Sequence, residues 1–268
     1  MLSRVAAGLA LLVLLAAAPS RASITLDVTL LPAVRADGVG TVVRVRNRGG
    51  EAANDVIPRV RFEGAVRNGL PEKLLPGKSH DWTVDLPRPP RDGRYPLLVT
   101  VSYNDAGYRG YSAVSAALVD VGNAPPIGVR GSVAPLSLDV EGRLAVTVNN
   151  DDPSARKLTA GVLLPEELGG WQEIGRVDAV PGKPGALSIP VQVHGALAGS
   201  TYGVQVVVRA STADTETATL LPGTIRVVAA APVDWKTRLQ QLAIWLAALF
   251  VVAEIGLAAR RWWQRTQA

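Results

Sequence analysis

The stretch TVVRVRNRGGEA, Thr41 to Ala52, decides the fold class. Its first half alternates apolar and polar side chains with a period of two, the pattern of a strand with one face buried. The alternation ends at Asn47, and a polar turn containing Gly49 and Gly50 follows. The arrangement recurs at LAVTVNNDDPSA, Leu144 to Ala155, where an alternating strand again runs into asparagine and a polar turn. A returning apolar run follows each copy, at 56–62 and at 157–164. A second pair repeats farther along: GRYPLLVTV, Gly93 to Val101, matches STYGVQVVV, Ser200 to Val208, each with a tyrosine leading into a valine-rich strand. The offsets are about 100 and 107 residues, the size of one immunoglobulin-like unit.

Outward from these anchors, the periodicity predicts strands at 24–31, 40–47, 56–62, 79–86, 95–103 and 113–121. A second set is predicted at 129–133, 143–149, 157–164, 171–177, 187–193, 203–210 and 217–228, the last bent or bulged at Pro222-Gly223. No long stripe of period 3.6 interrupts them. Short strands with turn signals every ten residues or so indicate sandwiches rather than α/β units. The expected fold class is all-β: two tandem immunoglobulin-like β-sandwiches, 23–122 and 129–232, joined by a linker at 123–128. That linker, with Asn123-Ala124-Pro125-Pro126, is stiffened by its prolines.

The phrase VVRVRNRGGEAANDV, Val42 to Val56, resembles the opening of CARDB-type (cell-adhesion-related) immunoglobulin-like domains of prokaryotic surface and envelope proteins. In those domains a strand running into Asn-x-Gly is followed by small residues and the next strand. The stretch Gly93–Val99 is similar to their later Gly-x-Tyr-x-Leu-x-Val segment. The resemblance spans roughly 24–121, with a fainter second copy at 129–228 where Asn-x-Gly has become Asn-Asn-Asp-Asp-Pro. It implies a non-catalytic seven-stranded sandwich and transfers no site residue.

Composition narrows the function classes. Apolar residues make up 48% and charged residues 19% of the 268, too apolar for a disordered chain. Cysteine is absent, which excludes disulfides, thiolate metal sites, thiol catalysis and a lipoprotein anchor. The net charge of +5 is not spread over the strands. Residues 23–233 hold 21 basic and 21 acidic side chains, so the excess sits at the two ends. Nucleic-acid binding loses its electrostatic basis.

Each end reads as a membrane-directed segment. Residues 1–22 combine Arg4, an apolar run from Val5 to Ala18 and a small-residue site at Ser20-Arg21-Ala22, the pattern of a signal peptide cleaved before Ser23. The alternative is an uncleaved anchor, disfavoured because the run spans only roughly 21 Å of helix. Residues 239–259 are long enough for a transmembrane helix, at roughly 31 Å. Trp235 lies before that run, and Trp262 and Trp263 lie after it, at interfacial positions. Export by the signal peptide would place 23–238 on the periplasmic side and the basic tail 260–268 in the cytoplasm, a single-pass type I topology in a bacterial inner membrane. Within the helix, Ala243, Ala247, Glu254 and Ala258 share one stripe, and a carboxyl group in hydrocarbon is costly without a partner. The stripe is the expected contact with another transmembrane helix, the alternative being a snorkelling or protonated Glu254.

Candidate sites in the exported part are surfaces rather than catalytic constellations. Arg44, Arg46 and Arg48 alternate along one strand, and Arg59 and Arg61 along the next. If the two strands are neighbours, five guanidinium groups share one sheet face, able to dock an anionic glycan, lipid headgroups or an acidic protein surface. The competing reading is a solvated face neutralised by acids such as Asp55 and Glu63. The segment from Tyr103 to Tyr111 reads as a hairpin tip whose Tyr103, Tyr108 and Tyr111 form a recognition loop or close the end of the sandwich. His80 and His194 are isolated in strand-like runs, Glu166-Glu167 reads as a solvated turn, and Asn149 to Asp152 reads as a polar turn in preference to a calcium loop. No catalytic or metal residues and no cofactor are expected. The expected function is a membrane-anchored scaffold or binding subunit of an envelope complex, with a membrane-protein partner in the same bilayer. The alternatives are an adhesion or ligand-binding receptor that uses the helix only as an anchor, and an enzyme, disfavoured by the missing motifs.

Overall fold

The computed structural model describes residues 23–124, 128–151, 156–180, 182–211 and 215–229, together with Ile244. The segment 1–22 expected as a signal peptide, the segment 239–259 expected as a transmembrane helix with Ala243, Ala247, Glu254 and Ala258, and the tail 260–268 lie outside the described residues, Ile244 excepted. Among the described residues no helix is long and apolar enough to cross a membrane.

Residues 23–229 belong to one compact unit that is all-β, with its sheets in a sandwich-like arrangement. The first half forms β1 (Leu26–Val34), β2 (Gly38–Asn47), β3 (Ala53–Phe62), β4 (Ala65–Asn68), β5 (Glu72–Leu74), β6 (Ser79–Pro87), β7 (Asp92–Asn104) and β8 (Gly110–Val121). The second forms β9 (Val129–Val133), β10 (Leu136–Leu138), β11 (Glu141–Asn150), β12 (Arg156–Leu163), β13 (Trp171–Ala179), β14 (Gly185–Gln192), β15 (Thr201–Ser211) and β16 (Thr215–Val227). A 3₁₀ turn, Glu166–Leu168, sits between β12 and β13. Each strand expected from alternation lies on an observed one. The sequence reading missed β4, β5 and β10, which at three or four residues are too short to show a period.

The two halves repeat one topology. Strands β1-β2-β6 form a three-stranded sheet, and β9-β11-β14 form its counterpart. Opposite the first lie β3, β7 and β8, with β4 and β5 beside β3; opposite the second lie β12, β15 and β16, with β13 beside β12 and β10 beside β16. Alternation delivers the inward side chains. Val43, Val45, Val60, Phe62, Leu97 and Val99 belong to a first buried core, and Leu144, Val146, Leu158, Val162, Val206 and Ile225 to a second.

Three local features explain the repeated motifs. Asn47, fully buried, donates from Nδ2 to the carbonyls of Glu51 at 2.7 Å and Leu74 at 3.0 Å, and its Oδ1 accepts from the Gly49 N–H at 2.9 Å. Asparagine therefore ends the strand by satisfying the backbone of the chain as it crosses to the other sheet. The repeated tyrosines do similar work. Tyr95 donates to the Arg91 carbonyl at 2.7 Å, and Tyr202 accepts from the Leu197 N–H at 3.1 Å, each tying down the loop before its strand. Prolines occupy gaps in the ladders. Pro222 does not break β16, whose register with β15 runs on without a shift through Pro222 and Gly223, so of the bend or bulge expected there the bulge is not formed. Elsewhere β16 is paired on its other edge only at 215–216 and 225–227, so the missing N–H leaves no ladder bond unmade there. Register shifts fall elsewhere, at Ala160/Gly161 in the β12–β13 ladder and near the start of β3 in its ladders with β5 and β7.

The linker prolines Pro125 and Pro126 lie outside the described residues, but the halves that the linker joins also touch one another directly. A third apolar cluster contains buried Leu98 from the first half and buried Leu163 and Val207 from the second, with Val114, Ala116, Trp171 and Leu220 packed against it. Leu98 points away from the first core, and Leu163 and Val207 point away from the second, so the outer faces of the two larger sheets meet. The sequence shows this as interrupted alternation. Leu97-Leu98-Val99, Val162-Leu163-Leu164 and Val206-Val207-Val208 are apolar on consecutive positions, as strands buried on both faces require. Where the sheets run together, Thr215 and Glu216 pair in parallel with Asp92 and Gly93. A Cβ on Gly93, at φ +155°, would lie 2.1 Å from the Glu216 carbonyl oxygen, so this contact requires glycine.

Candidate functional site

The junction between the halves is also where polar side chains converge. The turn that carries Glu166 and Glu167 reaches across to β7 and β8. Glu167 is 8% exposed and accepts from the Ser112 N–H at 2.8 Å and from the Ser112 hydroxyl at 2.5 Å. The same hydroxyl accepts from the Glu166 N–H at 2.7 Å. Glu166 accepts from Arg59 Nη1 at 3.1 Å and from the Ser102 hydroxyl at 3.2 Å. The solvated turn expected for Glu166-Glu167 is therefore corrected: both carboxyl groups are bonded to the other half. Sequence spacing could not show it, because the partners lie more than fifty residues away.

Two further bonds cross the junction. Arg209 Nη1 lies 2.9 Å from Glu63 Oε1, with both side chains about one quarter exposed. Burial pushes the Glu63 carboxyl above its ordinary range despite the arginine beside it. Arg109, at the hairpin tip, donates to the Gly195 carbonyl at 3.0 Å.

Beside the apolar cluster lies a partly enclosed cleft of about 240 Å³, lined among others by Arg59, Arg61, Thr100, Leu163, Glu166 and Trp171. Arg59 and Arg61 reach it because Val60 and Phe62 turn inward, leaving the arginines on the outer face of β3. In the β3–β7 ladder Arg59 stands opposite Thr100 and Arg61 opposite Leu98. Trp171 is positioned by an absence. A Cβ on Gly161 would lie 2.4 Å from its Cη2 atom, so the indole rests directly on the β12 backbone.

The five arginines expected on one face are divided between two sheets. Strand β2 pairs with β1 and β6, and β3 pairs with β4, β5 and β7, because the chain after Asn47 crosses the sandwich instead of turning back as a hairpin. On β2, Arg44 makes a two-pronged bond to Asp81, at 2.8 and 2.7 Å, and Arg48 pairs with Asp27. Arg46 follows on the same exposed face. The neutralising acids are Asp81 for Arg44, Asp27 for Arg48 and Glu166 for Arg59, not Asp55 and Glu63: Asp55 accepts from Asn104, and Glu63 holds Arg209. The Arg44 hydrogen bonds hold the Asp81 carboxyl below its ordinary range.

At the tip of the β7–β8 hairpin the tyrosines separate by role. Tyr103 and Tyr111 pack with ring centroids 5.9 Å apart, Tyr103 against the first core. Tyr108, at φ +58°, is 80% exposed. Burial pushes the Tyr103 hydroxyl well above the ordinary tyrosine range. His80 lies on β6 with its ring 4.5 Å from Trp82, while His194 falls just beyond β14, where its N–H donates to the Glu167 carbonyl. Asp151 pairs with Arg130 at 2.7 Å, and Asp152 lies outside the described residues. Among the described residues no three His, Asp or Glu side chains gather as a metal site.

No family model matches the chain, and no curated protein does. Among solved structures it is similar to a red sea bream transglutaminase, with 13% identity and a TM-score of 0.28 over 75% of this chain and 31% of that one. It is similar to an Escherichia coli alpha-2-macroglobulin activated by porcine elastase, with 13% identity and a TM-score of 0.29 over 78% of this chain and 22% of that one. A Porphyromonas gingivalis W83 protein of unknown function matches at 12% identity and a TM-score of 0.27 over 75% of this chain and 99% of that one. The chain thus spans less than a third of the first two. TM-scores this low establish neither a shared fold nor a shared activity.

Proposed function

We propose that the chain is a non-catalytic, membrane-anchored binding or scaffold protein of the bacterial envelope. Its exported part consists of two immunoglobulin-like sandwiches, 23–122 and 129–232, the first of CARDB type. Segment 1–22 is a signal peptide, 239–259 is the inner-membrane span, and 260–268 is cytoplasmic. The repeated strand order and the tyrosine tied to the loop before its strand in each half support the immunoglobulin-like assignment. One observation carries the functional reading: the halves are joined face to face by a buried apolar cluster and by the Ser112–Glu167 bonds. Such a junction makes one rigid body, and rigidity serves a protein that presents preformed surfaces.

In this reading the stripe of Ala243, Ala247, Glu254 and Ala258 holds the body beside a membrane-protein partner. Pull-down from detergent-solubilised membranes should recover a membrane protein with the parent chain and lose it with Glu254→Leu. Protease added to spheroplasts should reach residues 23–229. Cleavage confined to the last few residues would invert the topology and end the proposal. The cleft at the junction favours a second reading, a ligand-binding receptor for which the helix is only an anchor. Unchanged capture of the partner by Glu254→Leu would select that reading.

A further inference from the structure

We propose that the junction cleft binds one hexuronate unit, a sugar ring carrying a single carboxylate, as found along an acidic polysaccharide. The inference rests on the reading of the chain as a binding protein and supplies its ligand class. Charge comes first. Arg59 is neutralised by Glu166 at 3.1 Å, whereas Arg61, two residues along the same face of β3, makes no ion pair among the described residues. The cleft therefore holds one uncompensated guanidinium, which pairs best with a planar carboxylate.

The remaining lining matches the rest of a sugar acid. Glu166 offers carboxyl oxygens to hydroxyl donors, and Thr100, opposite Arg59 in the β3–β7 ladder, adds a hydroxyl group to the lining. Trp171, fixed by its contact over Gly161, supplies an indole against which the C–H face of a pyranose ring can pack. The volume of about 240 Å³ is below the range of roughly 300–1,000 Å³ typical of drug-sized ligands, and suits a single ring. Other small ligands leave part of the lining unused. Inorganic phosphate ignores Trp171 and Leu163, a neutral sugar ignores Arg61, and an acidic peptide side chain brings no hydroxyl groups to Glu166.

The test is a titration of the full chain in detergent micelles with D-glucuronate, D-glucose, acetate and a glutamate-containing peptide, followed by saturation-transfer NMR on each ligand. Glucuronate should saturate, with the other three at least tenfold weaker. Arg61→Gln should weaken glucuronate at least tenfold, and Thr100→Val and Trp171→Phe severalfold, with melting of Arg61→Gln and Thr100→Val unchanged. Arg46→Gln, on the other sheet, should bind as the parent does. Acetate or glucose equal to glucuronate, tighter binding of the peptide, or parental affinity in Arg61→Gln would each overturn the proposal. None of these readouts involves the membrane helix, so their failure leaves the Glu254→Leu pull-down free to succeed or fail by itself.

Discussion

Ser112 and Glu167 satisfy one another completely across the junction: the serine N–H and hydroxyl both donate to the two oxygens of one buried carboxyl group. The hydroxyl's acceptor side is filled in turn by the Glu166 N–H. Buried polar groups satisfied in this way rigidify their surroundings, and removing one partner strands the other. Glu167→Ala should therefore cost about 1–3 kcal/mol in urea unfolding. Ser112→Ala should also destabilise, because it strands one Glu167 oxygen and the Glu166 N–H although the backbone N–H at 112 keeps its acceptor. A double-mutant cycle should give clear coupling, and additive effects would show that the pair does not join the halves.

The apolar cluster makes a separate prediction. Leu98 is 1% exposed although it faces away from its own core. Leu98→Ala should destabilise the chain by about 2–5 kcal/mol, the range for a buried leucine. Leu31→Ala, at a position 46% exposed, should stay within about 0.5 kcal/mol. Hydrogen exchange should show the Leu98→Ala loss as faster exchange in both β7 and β15.

Gly161 carries a steric prediction. A methyl group there meets Trp171 at 2.4 Å, and the ring must lift away from β12. Gly161→Ala should shift the Trp171 emission to the red and lower the melting temperature. The shift is isolated by subtracting the spectrum of Trp171→Phe from that of the parent. An unshifted difference spectrum would mean that the indole does not rest on that backbone.

Two carboxylates should titrate low. Hydrogen bonding to Arg44 depresses Asp81, and hydrogen bonding to Arg94 at 2.6 and 2.8 Å depresses Asp120. A depressed folded value means that the stabilisation is present above the ordinary carboxylate range and is lost as pH falls through the folded value. Carboxyl-carbon NMR titration should place both below free aspartate, and Arg44→Ala and Arg94→Ala should each return its own partner to the ordinary range.

Tyr103 should resist ionisation. Burial raises its hydroxyl, so the folded state disfavours tyrosinate and loses stability as pH rises through and beyond the ordinary tyrosine range. Ultraviolet titration should show a late step that Tyr103→Phe removes.

What could be read from the chain alone is what period-two alternation encodes. Val43, Val45, Val60 and Phe62 face inward as their spacing demands, Asn47 and the tyrosines at 95 and 202 mark the repeat, and the predicted strands exist. Alternation reports which side of a strand is buried, not which strand lies beside it. Hence the arginines of β2 and β3 were expected together and stand on different sheets, since the crossing after Asn47 is a matter of chain path. The junction depended on tertiary structure for the same reason. Leu98, Leu163 and Val207 were visible as interruptions of the alternation, but their partners come from strands far apart in sequence. Glu166 and Glu167 looked like solvated turn residues because nothing near them in the chain accounts for the bonds their carboxyl groups make or for the burial of Glu167. Ser112 and Arg59, brought over by the packing of two outer sheet faces, do.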